Sequence, residues 1–250
     1  MKHLEASHID MPLIHEPMTA CANTRVPGLG LTLLKIVLQF AFMGAVLLAA
    51  AGTLYWARAW IYLGVGLFCL AVNASIVLRI NPQAIVERHK KHEDTKTFDK
   101  VLTRIIALAT VGTWIVAGMD AVRFGWSSIS AGWLYPGVAL HLLGMAGVCW
   151  CLATNPYLEK SVRIQADRDQ RVITTGPYGF IRHPMYLSVI VMMLGCPLIL
   201  GSTWAFMPVA IYIALFVVRT VLEDRTLRRE LRGFEEYTQA TRHRLLPGIW

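Results

Sequence analysis

Polar residues of several types concentrate in two stretches of this sequence, 155–186 and 219–250. In the first stretch, Arg182 and His183 stand directly before a proline that fits the first turn of a helix. The free backbone N–H groups and the positive dipole end of a helix start suit an anion. Tyr186 adds an aromatic ring and a hydroxyl one turn further on. The alternative interpretation makes these three residues anchors at a membrane interface.

The second stretch places Arg219 and Glu223 four positions apart, so they share one face of a helix. A carboxylate at this position can accept hydrogen bonds from an ammonium group or a sugar diol. A plain ion pair between the two residues at a membrane boundary is the alternative. The mixture of leucine and arginine that follows, from Arg225 onward, predicts an interfacial amphipathic helix that ends at Gly233.

Long apolar segments must position these residues. The chain is 55% hydrophobic and only 16% charged, whereas soluble domains have about 25% charged residues. Crossing a bilayer takes about 20 helical residues, and four segments approach that length. They are Ile36–Leu54, Ala59–Leu78, Ile105–Met119 with an extension back to Val101, and Leu134–Leu152.

A fifth apolar run, Pro184–Val218, contains no charged residue and is too long for one crossing. Gly201 and Ser202 near its middle are a plausible break. The run therefore predicts a tight helical hairpin, Met185–Leu200 followed by Thr203–Val218, with arms shorter than a standard span. A hairpin returns the chain to its starting side, so the two polar stretches should meet there.

The distribution of positive charge predicts the orientation. Across six segments, all but two of the 24 Lys and Arg residues fall on the side that holds both termini, and the exceptions are Arg58 and Arg123. By the positive-inside rule, both termini and the polar stretches are cytoplasmic. The net charge of +8 then reflects topology and attraction to anionic lipid. No nucleic-acid motif accompanies it, and we expect no nucleic-acid partner.

The cysteine and histidine spacings predict neither disulfides nor a metal site. Most of the five cysteines lie in apolar segments, and none has the spacing of a zinc ligand set. The first residues hold His3, His8, His15 and Cys21, again without ligand spacing. A signal-peptide pattern is also missing from this start.

The order of the polar motifs resembles a known superfamily. Gly-Pro-Tyr at 176–178 is followed after four residues by His-Pro-x-Tyr, and an apolar hairpin leads to Arg-x-x-x-Glu-Asp at 219–224. Gly-x-x-x-Tyr and Arg-x-x-Pro come after it. Over residues 155–250 this order resembles the isoprenylcysteine carboxyl methyltransferase and phospholipid methyltransferase superfamily of integral membrane enzymes. Ser188 and Asp224 depart from it, where the superfamily often has Gly and Glu.

The apolar segments predict an all-α, polytopic membrane bundle of about six segments with a C-terminal helical hairpin, and the resemblance adds a cytoplasmic cofactor pocket. Three parts are expected: an N-terminal cytoplasmic segment, 1–28; four transmembrane helices, 29–153; and a methyltransferase core with an interfacial tail, 154–250. The implied cofactor is S-adenosyl-L-methionine. Its expected contacts are Gln170, Arg171, Val172, Ile173, Tyr178, His183, Pro184, Met185, Tyr186 and Glu223.

The expected catalytic residues are Arg219, which matches an arginine that holds the substrate in that superfamily, and Arg182. The expected acceptor is lipophilic, with a carboxylate favoured because it needs a cationic holder but no general base. An amine acceptor would need a base, for which His183 and Glu223 are nearest. A prenylated peptide, a phospholipid and a small lipophilic metabolite all remain possible, and no oligomeric state is predicted.

Two other functions compete with this reading. One is an NAD(P)H-dependent membrane reductase of the sterol-reductase type, whose C-terminal segment is similar. Its additional Trp, His and Asn signatures are not found in this sequence. The other is a non-enzymatic membrane protein of the same fold, which the intact Arg182, His183, Tyr186 and Glu223 argue against.

Overall fold

Seven α-helices and no strand form the part of the chain that the computed structural model describes, residues 28–80 and 94–250. The helices are α1 (Leu29–Ala51), α2 (Ala57–Ile80), α3 (Thr97–Gly118), α4 (Leu134–Thr154), α5 (Pro184–Leu200), α6 (Phe206–Glu230) and α7 (Phe234–Ala240). This confirms the predicted all-α membrane bundle. The histidines and the cysteine of the predicted N-terminal segment, 1–28, lie outside the described residues.

Five helical segments are long and apolar enough to cross a bilayer, and α5 is a shorter apolar helix. Each predicted membrane segment is helical in the structure, with shifted bounds. α3 begins at Thr97 and runs on through a π-helical turn, Met119–Phe124. Lys100 and Arg104 therefore lie inside the helix, where long side chains can reach the interface from a terminal turn.

The second arm of the hairpin extends further than its predicted membrane part, Thr203–Val218. α6 continues without interruption to Glu230, because no glycine or proline interrupts the residues that follow the apolar run. The stretch expected to be a separate amphipathic helix is thus the last turns of α6. Gly233 does mark a change of direction, since its φ of 83° is left-handed, and α7 begins directly after it.

Helices α4 and α5 pack backbone to backbone. A Cβ atom added at Gly144 of α4 would lie 2.5 Å from the Ser188 carbonyl oxygen and 2.6 Å from the Met192 nitrogen of α5. A Cβ at Gly195 would likewise meet the backbone of Gly137. Small residues allow this approach in membrane helices. The tight contact fixes the position of α5, whose first residues carry the His-Pro-x-Tyr motif.

A buried aspartate fixes the turn between α5 and α6. Asp120, in the π-helical turn, accepts hydrogen bonds from the hydroxyls of Ser127 and Ser202, both at 2.6 Å. It also accepts one from the backbone N–H of Trp204 at 3.1 Å. Gly201 turns the chain with a φ of 81°, as the Gly-Ser pair predicted. We call this end of the bundle the turn end and the other, where α5 begins, the site end.

Candidate functional site

A cavity of about 550 Å³ opens at the site end, between the loop 155–173, the start of α5, the end of α6 and α7. Its volume falls in the range of small-molecule sites, roughly 300–1,000 Å³. All residues predicted for the site line it. They are Gln170, Arg171, Val172, Ile173, Tyr178, Arg182, His183, Pro184, Met185, Tyr186, Arg219 and Glu223. The two polar stretches of the sequence therefore meet at one cavity.

Tyr186 links the two arms of the hairpin inside this cavity. Its hydroxyl donates a hydrogen bond to Oε2 of Glu223, 37 positions later in the sequence. The His183 ring lies nearly parallel to the Tyr186 ring, with centroids 5.6 Å apart and an interplanar angle of 6°. Within the described part of the chain, Glu223 forms no salt bridge. It is a half-buried carboxylate whose charge has no direct cationic partner.

Arg219 is held by groups that the sequence did not connect to it. Its Nε lies 2.8 Å from Oδ1 of Asp99, an ion-pair distance without hydrogen-bond alignment, and its Nη2 donates to the carbonyl of Lys160 at 2.6 Å. Its guanidinium carbon lies 5.2 Å from the centroid of the Tyr186 ring. Arg219 and Glu223 form no ion pair in the described chain. The structure therefore does not show the plain ion pair that was the alternative interpretation of their spacing.

Arg182 lines the cavity, but its guanidinium faces the protein. Nε lies 2.8 Å from Oδ1 of Asp224, and Nη1 donates to the carbonyls of Thr241 and Arg242 at 2.7 and 2.8 Å. Its backbone N–H also donates to the carbonyl of His243 at 2.9 Å. These contacts attach the C-terminal tail to the start of α5. They indicate a structural position for Arg182 and give its expected catalytic role no support.

Asp224 is the centre of this attachment. The side chain is fully buried and lies 3.2 Å from Nε of both Arg228 and Arg244, in addition to Arg182. Nε2 of His183 lies 3.3 Å from its Oδ1. The Asp224 carboxylate thus fixes the His183 ring in its parallel position beside the Tyr186 ring. Asp224 stands where the superfamily that the sequence resembles often has glutamate, and it retains the charge that this contact requires.

The loop that carries Gln170–Ile173 is ordered by a charge cluster around Arg163. This buried guanidinium binds Glu159 at 2.8 and 3.0 Å and Asp167 at 2.8 Å. The hydrogen bonds to Glu159 raise the pKa of Arg163 above its ordinary value despite burial. Further along, the Gln170 side-chain oxygen accepts the backbone N–H of Gln165 at 2.8 Å. These contacts fix the loop where it passes the cavity.

Two phenols complete the polar wall. Tyr178 is buried, and burial raises the pKa of its hydroxyl above the ordinary value. Tyr237 donates a hydrogen bond to the Tyr178 carbonyl at 2.6 Å, and burial raises the pKa of Tyr237 to about 12. Both phenols are therefore neutral near pH 7. They serve as hydrogen-bonding and aromatic surfaces rather than as bases.

The cavity has a polar outer part and an apolar inner part. The inner lining comes from three helices and consists of Ile106, Val189, Met192, Tyr212 and Phe216. Arg219 stands at the border, since its guanidinium carbon lies 6.0 Å from the Phe216 ring centroid. Among the residues that the structure describes, no three His, Cys, Asp or Glu side chains are grouped as metal ligands. The arrangement suits a charged small molecule beside an apolar one.

Comparison with known proteins gives one family and two curated relatives. The phospholipid methyltransferase family model matches residues 133–232, a range that contains α4, α5, α6 and most of the cavity wall. The chain is 31% identical over 153 residues to the cobalt-zinc-cadmium resistance protein CzcN of Cupriavidus metallidurans. It is 30% identical over 149 residues to the nickel-cobalt-cadmium resistance protein NccN of Alcaligenes xylosoxydans xylosoxydans.

These matches cover 59% and 57% of this chain. They span 66% and 65% of the two relatives, slightly less than two thirds of each. The family match confirms the resemblance predicted from the order of the motifs, and it supports a membrane methyltransferase in general.

Proposed function

We propose that this chain, whose residues 133–232 match the phospholipid methyltransferase family, uses S-adenosylmethionine to methylate a lipophilic acceptor in the membrane. The observation that carries the proposal is the link between α5 and α6 at Tyr186 and Glu223. It puts a carboxylate that forms no ion pair with any residue the structure describes beside stacked aromatic rings. A cofactor with an ammonium group and a sulfonium requires such a surface.

The residues present fit this cofactor. Bound S-adenosylmethionine would supply a methyl group activated by a positively charged sulfonium. Glu223 can accept hydrogen bonds from the ammonium group or the ribose diol. The rings of Tyr186 and Tyr178 can stack on adenine or face a cation. Because these groups are largely buried, they can align the reactants and exclude water, which are the main requirements of a methyl transfer.

The acceptor is proposed to enter the apolar inner part of the cavity. Its reactive end would then lie beside Arg219, at the border with the polar part. A guanidinium matches the shape and charge of a carboxylate, so a lipophilic carboxylate remains the favoured acceptor. We also propose that the site end and both termini are cytoplasmic. This follows from the charge distribution and agrees with the cytosolic origin of the cofactor.

The proposal is tested by calorimetric titration of the purified full chain with S-adenosylmethionine. Glu223→Gln keeps the side-chain shape but removes the charge, and the loss of a charged hydrogen bond of about 1.5–3 kcal/mol should weaken binding about 10- to 150-fold. Glu236→Gln, an exposed glutamate on α7, is the matched control and should bind like the wild type. Thermal unfolding of all three proteins checks that the fold is retained.

The same titration separates the competing functions. Wild-type protein that binds NADPH and not S-adenosylmethionine would support the reductase instead. Binding of neither would remove the enzymatic proposal. If the cofactor does bind, transfer of a labelled methyl group is measured with three acceptors: N-acetyl-S-farnesylcysteine, phosphatidylethanolamine vesicles and a total bacterial lipid extract. The first offers a carboxylate and the second an amine.

A further inference from the structure

We infer that Asp99, at the start of α3, is a positioning residue that fixes the guanidinium of Arg219 for the acceptor. The inference rests on the proposed function. Asp99 is 1% exposed, and its Oδ1 lies 2.8 Å from Nε of Arg219. Asp99 does not line the cavity, whereas Arg219 does. Asp99 can therefore act on a bound molecule only through the cavity residues it contacts, Arg219 and Val162.

Asp99 is itself fixed by the loop that borders the cavity. Its Oδ2 accepts the backbone N–H of Val162 at 2.8 Å, and the backbone N–H of Lys96 donates to the Val162 carbonyl at 3.1 Å. Two residues before Val162, the Lys160 carbonyl accepts from Nη2 of Arg219. Asp99 at the start of α3 and the Lys160 carbonyl of the loop thus fix the guanidinium at two of its three nitrogens, Nε and Nη2.

This geometry leaves one nitrogen of the Arg219 guanidinium, Nη1, for a ligand. No residue of the described chain accepts a hydrogen bond from Nη1 of Arg219, while the Tyr186 ring supports the guanidinium from one side. A flexible arginine in a half-apolar cavity would lose side-chain entropy on binding an acceptor. Asp99 removes that cost in advance, because it holds the side chain in one orientation before the acceptor arrives.

The location of Asp99 indicates what α3, which precedes the region matched by the family model, contributes to the cavity. The family match begins at residue 133, so Asp99 lies outside it. A buried ion pair is weak evidence for a role in stability, since well-packed apolar residues often stabilise a fold as much. The carboxylate is instead matched to a single arginine at the acceptor side of the cavity. The structure therefore assigns to α3 a part in acceptor binding.

The test variant is Asp99→Asn, which keeps the shape and an oxygen for the Val162 N–H but removes the charge. Methyl transfer is measured with the acceptor of the three above that the wild type methylates fastest. We expect kcat/KM for the acceptor to fall about 10-fold, the coupling of about 1.4 kcal/mol that is ordinary for two charged groups in contact. The dissociation constant of S-adenosylmethionine, measured by calorimetry, should stay at the wild-type value.

Glu230→Gln is the matched control. Glu230, the last residue of α6, pairs at 2.7 Å with Lys96, the residue directly before α3, and both lie outside the cavity. This variant should transfer like the wild type. The double variant Asp99→Asn with Arg219→Lys should be no slower than Arg219→Lys alone, because both changes remove one interaction. If Asp99→Asn does not fold, Asp99→Glu keeps the charge, moves it by one methylene and should show the same selective loss.

The outcomes separate the two proposals. A wild type that binds no S-adenosylmethionine would overturn the proposed function and Asp99's role with it. Cofactor binding with wild-type transfer by Asp99→Asn would overturn only the role of Asp99. Equal losses in Asp99→Asn and Glu230→Gln would show that helix packing, not positioning, was disturbed. Cofactor binding without transfer to any of the three acceptors would remove the reaction that Asp99 is inferred to serve.

Discussion

Arg182 and Arg219 are both buried arginines on the cavity wall, yet their guanidinium groups have different environments. Arg182 gives most of its donors to Asp224 and to two carbonyls of the C-terminal tail. Arg219 keeps a nitrogen that no described residue uses. The same side chain at the same cavity thus has a structural position in one case and a proposed ligand-binding position in the other.

Replacement of Arg182 should therefore lower the stability of the fold, and any loss of methyl transfer should follow from that lower stability. Arg182→Ala removes one partner of a buried ion pair, a change that costs about 3–5 kcal/mol. We expect a clearly lower Tm in thermal unfolding of the purified protein. Arg171→Ala is the control: Arg171 is exposed, its one ion pair among the described residues is with the exposed Asp169, and its Tm should not change. A normal Tm in Arg182→Ala with abolished transfer would restore the catalytic assignment.

Replacement of Arg219 should affect the acceptor and spare the cofactor. Arg219→Ala is expected to raise the acceptor KM or lower turnover, with nearly unchanged S-adenosylmethionine affinity. Arg219→Lys should also be impaired if the contact is a bidentate fork to a carboxylate. Steady-state kinetics and calorimetry on the same preparation make the comparison. A collapse of cofactor affinity would instead assign Arg219 to the cofactor's own carboxylate.

At the scale of the helices, the α4–α5 contact determines where the site begins. The hydroxyl of Ser188 lies against Gly147 of α4, where a Cβ atom would collide with it. The serine that departs from the superfamily's glycine is thus accommodated by a glycine on the neighbouring helix. Any change that separates these helices should move Pro184 and Tyr186 with α5, and so reshape the cavity.

Gly144→Ala should destabilise this contact. The added methyl group would meet backbone atoms of α5, which cannot rotate away as a side chain can, and overpacking of this kind costs about 1–3 kcal/mol. Gly64→Ala on α2 is the control, because no atom lies within 4 Å of its Cβ position. Thermal unfolding should show a lower Tm for the first variant only. Equal Tm values would mean that α4 and α5 tolerate a wider separation.

The elements also show why part of the site was predictable. His183, Tyr186 and Glu223 were predicted to meet because an uncharged hairpin returns the chain to one side, and this is what the structure shows. Asp99 was missed because it lies in another helix and belongs to no recognised motif. A lone acidic residue in the first turn of a helix is usually explained by the helix dipole. The hydrogen bond from the Val162 N–H to Asp99 is visible only in the structure, where the loop passes beside the start of α3.

The boundary of α6 was missed for a different reason. Charge patterning predicted a change of environment after Val218, and the arginines there do begin a more polar region. A helix can pass from lipid to water without a break, however, because its backbone hydrogen bonds are satisfied internally in both. The composition therefore located the interface, while the end of the helix depends on the residues near Gly233.

At the scale of the whole molecule, the orientation is the prediction to test first. A reporter that is active only in the cytoplasm should be active when fused after Trp250. The same reporter inserted after Ser128, an exposed residue in the loop between α3 and α4, should be inactive. A reporter active only outside should give the opposite pattern. An external C-terminus would contradict the cytoplasmic site and leave the cofactor without a source on that side.

The burial of α5 has a consequence for its relation to the surrounding lipid. With 17 residues it is about 26 Å long, whereas a typical hydrocarbon core is about 30 Å thick. No residue of α5 is exposed, because the neighbouring helices cover it. Its short length therefore does not require the bilayer to thin beside it. The proposed methyl transfer should thus depend little on acyl-chain length in reconstituted membranes, because the longer helices around α5 are the ones that meet the lipid.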